Sequence, residues 1–303
     1  MNGKTMMMAT VVASLTGMAA AQEFSGAASL GYSRSNVEDL NTALSVFSLD
    51  GKFDVKYDTG LRLGADFSLN GIDEDDVAEN VRTSSLGIDG GFRFDGGFNV
   101  GAYLEQSSIS ADDFGFDLTA NSAGLTAGYA ADALTLTGFV GATDADLPPG
   151  VDLTDYGVIA GYQAAPNLLL AGSYVQSDLS DGTTSISLHA FGIAGVYGIN
   201  DELTLFGGLG QTKLADYDVD VTTFGLGASL DMTRATNFAS TVSLELARSN
   251  GEVQNSSLNL DTVRLGVTIP LGGGSAKVPL NSVAGSVMNP RHNAVSSLVL
   301  STF

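Results

Sequence analysis

Charged side chains recur at every second position in one short segment. Asp50, Lys52, Asp54 and Lys56 alternate there with Gly, Phe and Val. Side chains two positions apart lie on the same face of a β-strand, so these four would form one charged face. Such a face can select ions along an aqueous path, or it can hold a sheet together through cross-strand charge pairs. The sequence leaves both interpretations open.

Few side chains in the sequence are suited to catalysis. It has no cysteine and two histidines, His189 and His292. A serine hydrolase needs a histidine beside a serine. His189, however, shares its predicted strand face with Phe191 and Ile193 and would lie near a lipid interface, and His292 has no evident acid partner. We therefore predict no catalytic residues, no cofactor and no enzymatic activity.

An acidic run is a weak candidate for a calcium site. Carboxylate oxygens suit Ca²⁺, but the spacing lacks the ordered ligand positions of an EF-hand. A solvated acidic loop is therefore the favoured interpretation, and we predict no metal site. The run comprises Asp73, Glu74, Asp75, Asp76 and Glu79.

A repeat of about 34 residues organises most of the chain. Each unit has a strand that ends in an aromatic residue or Leu, a tight polar turn, and a second strand that begins with Leu or Phe. The strand-ending residues are separated by 37, 35, 33, 35 and 33 positions and are Tyr57, Phe94, Tyr129, Tyr162, Tyr197 and Leu230. With an opening strand at 24–33 and a closing strand at 262–271, six such hairpins predict fourteen strands, with twelve or sixteen as alternatives.

Composition and alternation together favour a transmembrane β-barrel. The net charge is −21, yet the mean hydropathy is +0.18, as expected for an apolar exterior with acidic loops. After residue 21 no stretch offers about eighteen consecutive apolar residues, so spanning helices are excluded. A closed barrel is then the remaining way to cross a membrane. The acidity also argues against nucleic acid as a partner. The fold class is therefore all-β, an antiparallel up-and-down barrel of residues 22–271.

In such a barrel the charged face would line the interior. Strands two to five, thirteen and fourteen become neighbours on closure, so their charges fall on one wall, and strands six to twelve contribute mostly small neutral side chains. The turn-side aromatics would form an interfacial girdle. We predict an acidic outer rim, because the segments opposite the tight turns hold 19 acidic and three basic residues. The predicted pore-lining residues are Asp50, Lys52, Asp54, Lys56, Arg62, Asp66, Asp89, Arg93, Glu105, Glu245 and Arg264.

The two ends of the chain break this pattern. Residues 1–21 end in Ala19-Ala20-Ala21 and are typical of a signal peptide, which would send the chain through the periplasm. Residues 272–303 begin with a Gly-rich linker. We predict a periplasmic tail here, with a short helix that starts near Asn289 and Pro290 or, alternatively, two extra strands. Pro279 counts against extra strands.

Taken together, these features resemble the Gram-negative outer-membrane porin class, although no local motif identifies a particular family. The resemblance covers residues 22–271. It implies an outer-membrane channel for passive diffusion of small hydrophilic solutes and ions, and the acidic rim would add a weak cation preference. The alternative is a plugged structural barrel that binds lipopolysaccharide or another surface partner through its acidic loops. Expected partners are outer-membrane lipid, lipopolysaccharide and small polar solutes, with a homotrimer as one form of assembly.

Overall fold

The computed structural model describes residues 23–38, 42–74, 77–111, 115–146, 151–180, 185–214, 217, 219–253, 256–272 and 277–301. The predicted signal peptide at 1–21 lies outside them. The same holds for Asp75 and Asp76 of the acidic run, and for the side chains of Glu74 and Glu79. The signal peptide and the calcium site therefore stay predictions.

The described residues form fourteen antiparallel strands joined in sequence order into a closed barrel. The predicted fold class and strand number are thus confirmed. The strands are β1 Glu23–Val37, β2 Thr42–Lys56, β3 Leu61–Glu74, β4 Val77–Arg93, β5 Phe98–Ala111, β6 Phe116–Ala131, β7 Leu134–Ala145, β8 Asp152–Ala165, β9 Leu168–Ser180, β10 Ser185–Gly198, β11 Leu203–Leu214, β12 Val219–Asp231, β13 Thr241–Val253 and β14 Ser256–Gly272.

Closure joins the first strand to the last. β1 pairs with β14 from Ser25 opposite Gly272 to Val37 opposite Leu260. We call the end of the barrel that holds Glu23 and Gly272 the terminal rim, and the opposite end the acidic rim. Because the strand number is even, both strand termini lie at the terminal rim.

The two faces of each strand differ in chemistry. The exterior exposes large apolar side chains such as Leu30, Phe47 and Leu125. Interior positions carry buried small polar residues such as Ser29 and Thr268, which hydrogen-bond across the β1–β14 seam at 2.8 Å. Four of the predicted girdle residues are exposed near the terminal rim, namely Phe94, Tyr129, Tyr162 and Tyr197, and the fifth, Tyr57, is half-buried. Within the described residues, no helix is long and apolar enough to cross a membrane.

The strands are longer than the roughly ten residues expected for a tilted crossing. They contain 12 to 17 residues, because residues assigned to loops at the acidic rim continue the ladder. β9, for example, runs to Ser180, and β12 begins at Val219. Polar side chains on both faces of these strand ends hide the alternation that marks the rest of each strand, so sequence reasoning ended the strands too early.

Three short helices complete the described structure: α1 Thr233–Thr236, α2 Val283–Met288 and α3 Ala294–Ser301. α1 lies in the turn between β12 and β13. Residues 277–301, which we call the lumenal tail, carry α2 and α3 inside the barrel, where α2 packs on β9–β12 and α3 on β9–β11. The prediction of extra strands is therefore wrong for the described residues. The tail is helical, but neither helix begins at Asn289 and Pro290, since Asn289 caps the C-terminal end of α2 and α3 begins at Ala294. The tail also lies inside the barrel and not in the predicted periplasmic position.

A turn glycine at the terminal rim offers a test of the fold. Gly60 has φ +90°, and a Cβ there would lie 2.4 Å from the Arg93 carbonyl oxygen. We expect Gly60→Ala to lower the free energy of unfolding by about 1–3 kcal/mol, as measured by urea titration of the heat-modifiable gel shift. Gly71→Ala is the matched control, because a Cβ at Gly71 contacts nothing within 4 Å. Equal stability of the two variants would contradict the turn geometry.

Candidate functional site

The predicted pore-lining residues all lie on interior positions of the barrel wall, and closure brings their strands together as expected. Several of them pair with one another. Arg62 contacts Asp54 and lies 3.5 Å from Asp89, and the buried Glu245 and Arg264 form an ion pair across β13 and β14. Five of the predicted pore-lining residues are thus held in ion pairs between strands.

Two of the predicted pore-lining residues lie at the terminal rim. Lys56 forms an exposed ion pair with Glu23 at 3.6 Å. Arg93 donates a hydrogen bond to the carbonyl oxygen of Ala130 at 3.2 Å. Both cations are therefore bound to groups of neighbouring strands.

The lumenal tail occupies much of the interior. It enters beside β1 and β2, where the Leu280 amide donates to Ser29 Oγ at 3.4 Å and Asn281 Nδ2 donates to Ser48 Oγ at 2.7 Å. The Val283 amide then donates to Glu245 Oε1 at 3.0 Å. Wall groups on three different strands therefore hold the start of the tail.

Glycines on the opposite wall make room for α2. A Cβ at Gly192 would lie 2.6 Å from a methyl of Val287, and one at Gly208 would lie 2.9 Å from the Ala284 backbone nitrogen. The small residues of strands six to twelve look, from sequence, like evidence against a plug. The structure corrects this interpretation, because these positions are small where a helix packs against them.

Farther along, the tail crosses to the charged wall. Lys52 donates to Asn289, and Arg291 donates to Asp66. His292 contacts Glu105 twice, through its amide at 3.0 Å and through Nδ1 at 2.8 Å. Sequence reasoning assigned His292 no acid partner, and the structure supplies one from β5.

The tail then anchors on β6 and β9. Asn293 Nδ2 donates to Ser122 Oγ, and the Ala294 amide donates to Ser177 Oγ, both at 2.9 Å. These contacts place the start of α3 in the half of the barrel nearer the acidic rim. The tail thus passes from the terminal rim through the middle of the lumen.

The tail and its wall contacts have opposite charges. Residues 272–303 contain Lys277, Arg291 and His292 but no Asp or Glu, in a chain with a net charge of −21. Arg291 and His292 contact the wall carboxylates Asp66 and Glu105. At these contacts the tail is therefore electrostatically complementary to the wall.

Sequence reasoning missed three wall residues beside this segment. Tyr103 and Phe139 are 2% and 6% exposed. The ring of Tyr103 stacks on His292, and the ring of Phe139 meets it edge-on. Asp155 is fully buried and accepts hydrogen bonds from Thr143 at 2.5 Å and from Ser177. Tyr103 lies two positions before Glu105 and therefore on the same strand face, so the alternation in the sequence could have identified it. Asp155 lies in a segment that the sequence assigned to a loop.

A cavity of about 120 Å³ remains beside the lumenal tail. Asp50, Ser68 and Asn70 line it on one side, and Thr212 and Thr223 on the other. Within the described residues, Oδ2 of the buried Asp50 has no hydrogen-bond partner. The interior thus keeps a space next to the tail that is lined by both polar and apolar residues.

His189 lies on the exterior, as predicted. Its Nδ1 is 2.9 Å from the hydroxyl of Tyr174 on the neighbouring strand. The described residues contain no group of three or more His, Cys, Asp or Glu side chains placed to hold a metal ion.

The comparisons with known proteins concern the fold. No protein-family model and no curated protein matches this sequence. Solved structures do match. An anion-selective porin from Comamonas acidovorans has a TM-score of 0.54 at 10% identity, covering 82% of this chain and 98% of the porin. The CymD monoaromatic hydrocarbon channel gives 0.53 at 10% identity, with coverages of 82% and 88%. The Ralstonia pickettii toluene transporter TbuX gives 0.51 at 11%, with coverages of 82% and 89%.

These similarities extend over nearly the whole barrel. At 10–11% identity they show a shared fold. Together with the closed strand order and the apolar exterior, they show that this chain has the closed β-barrel fold of these outer-membrane proteins.

The position of the tail can be tested with a disulfide. A Cβ at Gly192 would lie close enough to Val287 for cysteines at both positions to bond, and the chain has no other cysteine. We expect Gly192→Cys/Val287→Cys to lose both free thiols on mild oxidation, as measured with a thiol reagent after unfolding.

The matched control is Gly195→Cys/Val287→Cys. Gly195 is on the same strand but faces outward, where a Cβ would meet Leu170 at 3.7 Å. This pair should keep its thiols. Equal reactivity of the two variants would place the tail outside the lumen.

Proposed function

We propose that this protein is an outer-membrane channel for small hydrophilic solutes and ions, and that its own C-terminal tail limits passage. One observation carries the proposal: a closed barrel with a polar, charged interior holds a short helical tail that belongs to no strand.

The charges favour a weak cation preference. The predicted pore-lining residues comprise six carboxylates and five cations and are nearly balanced in charge, so the preference comes from the predicted acidic outer rim. Clefts lined by one sign of charge concentrate the opposite ions. The tail, which carries positive charges, offsets part of this field while it is in place.

The alternative is a plugged barrel with a structural or surface-binding role. The number of tail contacts favours it, because hydrogen bonds reach β1, β2, β3, β5, β6, β9 and β13. Under either alternative the expected neighbours are membrane lipid and lipopolysaccharide, and a homotrimer stays a prediction. The proposal includes no enzymatic activity and no cofactor.

Conductance separates the two alternatives. Gly208→Val should push α2 from the wall, because a Cβ at Gly208 would lie 2.9 Å from the backbone of Ala284. We expect larger single-channel steps from this variant than from the unchanged chain in a planar lipid bilayer. Oxidised Gly192→Cys/Val287→Cys should give smaller steps than its reduced form. Silence from all of these barrels, each shown to be folded and inserted, would favour the plugged alternative.

The wall charges predict ion selectivity. Replacing Lys52, Lys56 and Arg62 by Gln removes three wall cations and leaves the carboxylates, so we expect the reversal potential in a salt gradient to shift toward cation selectivity. Arg234→Gln is the control, because Arg234 lies on α1 outside the barrel wall and is exposed. An unchanged reversal potential in the triple variant would show that ions do not pass along this wall.

A further inference from the structure

The wall contacts of Arg291 and His292 indicate which kind of ligand the lumen wall can bind. We propose that the lumen wall carries a binding site for a planar cationic group, such as a guanidinium or an imidazolium, and that Arg291 and His292 occupy this site as a built-in competitor. The inference rests on the proposed channel function, since it names the class of solute that such a channel would take up.

An aromatic slot forms the first part of the site. The ring of His292 stacks on Tyr103, with centroids 3.8 Å apart and planes 13° apart. Phe139 meets the same ring edge-on, at 4.7 Å and 83°. Aromatic faces attract cations and stack on flat groups. The slot therefore fits a flat, positively charged group about as thick as one ring.

The wall itself sets the shape of this slot. A Cβ at Gly124 or Gly141 would lie 2.5 or 2.1 Å from the hydroxyl of Tyr103, and one at Gly157 would lie 2.5 Å from the ring of Phe139. The outer ends of both rings thus lie over glycine positions of neighbouring strands. Because β5 to β8 hold the rings through their own backbones, the slot does not require the tail.

Carboxylates form the second part of the site. Glu105 accepts two hydrogen bonds from His292, at 2.8 and 3.0 Å, and Asp66 accepts one from Arg291. The fully buried Asp155 lies near Glu105 and contacts Ser177, which also holds the tail. Planar cations form strong charge-assisted hydrogen bonds with carboxylates. A free solute with such a group would use the acceptors that the tail now uses.

The tail can leave the wall without breaking a strand ladder. Its helices contain six and eight residues, and each of its hydrogen bonds to the wall uses a side chain of the wall. The strands, by contrast, are joined by continuous backbone ladders. A solute that carries the same cationic group can therefore replace Arg291 and His292 without opening the barrel.

A variant with the site vacated tests this proposal directly. Arg291→Ser/His292→Ser removes both competitor side chains in the full-length chain. We expect this variant to bind L-argininamide about tenfold or more tightly than the unchanged chain does, since the ligand no longer displaces a charge-assisted contact. Calorimetry on detergent-solubilised, heat-modifiable barrel measures the affinity. L-citrullinamide, which lacks the guanidinium charge, should bind neither chain.

Two controls show whether the site itself is responsible. Lys277→Ser removes a tail cation outside the slot and should leave the affinity for L-argininamide as in the unchanged chain. Adding Glu105→Gln to the vacated variant should lower its affinity for L-argininamide to that of the unchanged chain. If the vacated variant binds L-argininamide no better than L-citrullinamide, the proposal is wrong.

A second variant covers a failure of the double variant to fold. His292→Gly opens only the slot between Tyr103 and Phe139, and imidazole is the probe. Millimolar imidazole should raise the unfolding temperature of this variant and not that of the unchanged chain, and equal shifts would overturn the proposal. A barrel that binds these probes but stays silent in the bilayer would refute the channel and keep the site, whereas a conducting barrel without binding would refute the site alone.

Discussion

Lipid offers no hydrogen-bond partner to a peptide group, so every backbone amide and carbonyl of the spanning strands must be satisfied within the sheet. Here the pairing of β1 with β14 removes the last open edge. All else in the molecule depends on that closure. It divides each strand into an apolar outside and a polar inside, and it brings the charges of β2 to β5 next to those of β13 and β14.

A closed barrel of this size creates a second problem, because its interior must be filled by water or by protein. The wall provides carboxylates on one side and glycines on the other. The tail, which is basic and has small residues in α2, matches both sides. Electrostatic attraction and close packing thus act on the same segment. The result is a lumen that is occupied but still holds a cavity beside the tail.

The strands and the tail are held in different ways. Strand ladders are continuous backbone pairings that extend around the whole barrel, whereas the tail is held by hydrogen bonds to wall side chains and by the packing of α2 and α3. Breaking the tail contacts leaves every strand pairing intact. Under the proposed function, a solute that competes for Glu105 and Asp66 therefore acts on the tail and not on the barrel.

Much of the barrel could be predicted from the sequence. Alternation such as that around Asp50 to Lys56 has a period of two, and a local pattern is enough to identify both faces and the fourteen strands. The ends of the strands were harder, since Ser177 and Asp155 lie where polar residues occupy both faces and the period fades. The alternation also predicted that the pore-lining candidates lie on interior positions. It could not predict their contacts with the tail, because periodicity within a strand carries no information about what fills the lumen.

The sequence by itself determined the alternation, the strand number and the side on which each charge lies, because these depend on neighbours a few residues apart. Only the tertiary structure decided where the tail goes. The contact between His292 and Glu105 joins residues 187 positions apart, and that between Arg291 and Asp66 joins residues 225 positions apart. No repeat relates such positions. The tail finds them because closing the barrel first gathers distant carboxylates, aromatic rings and glycines around one interior space.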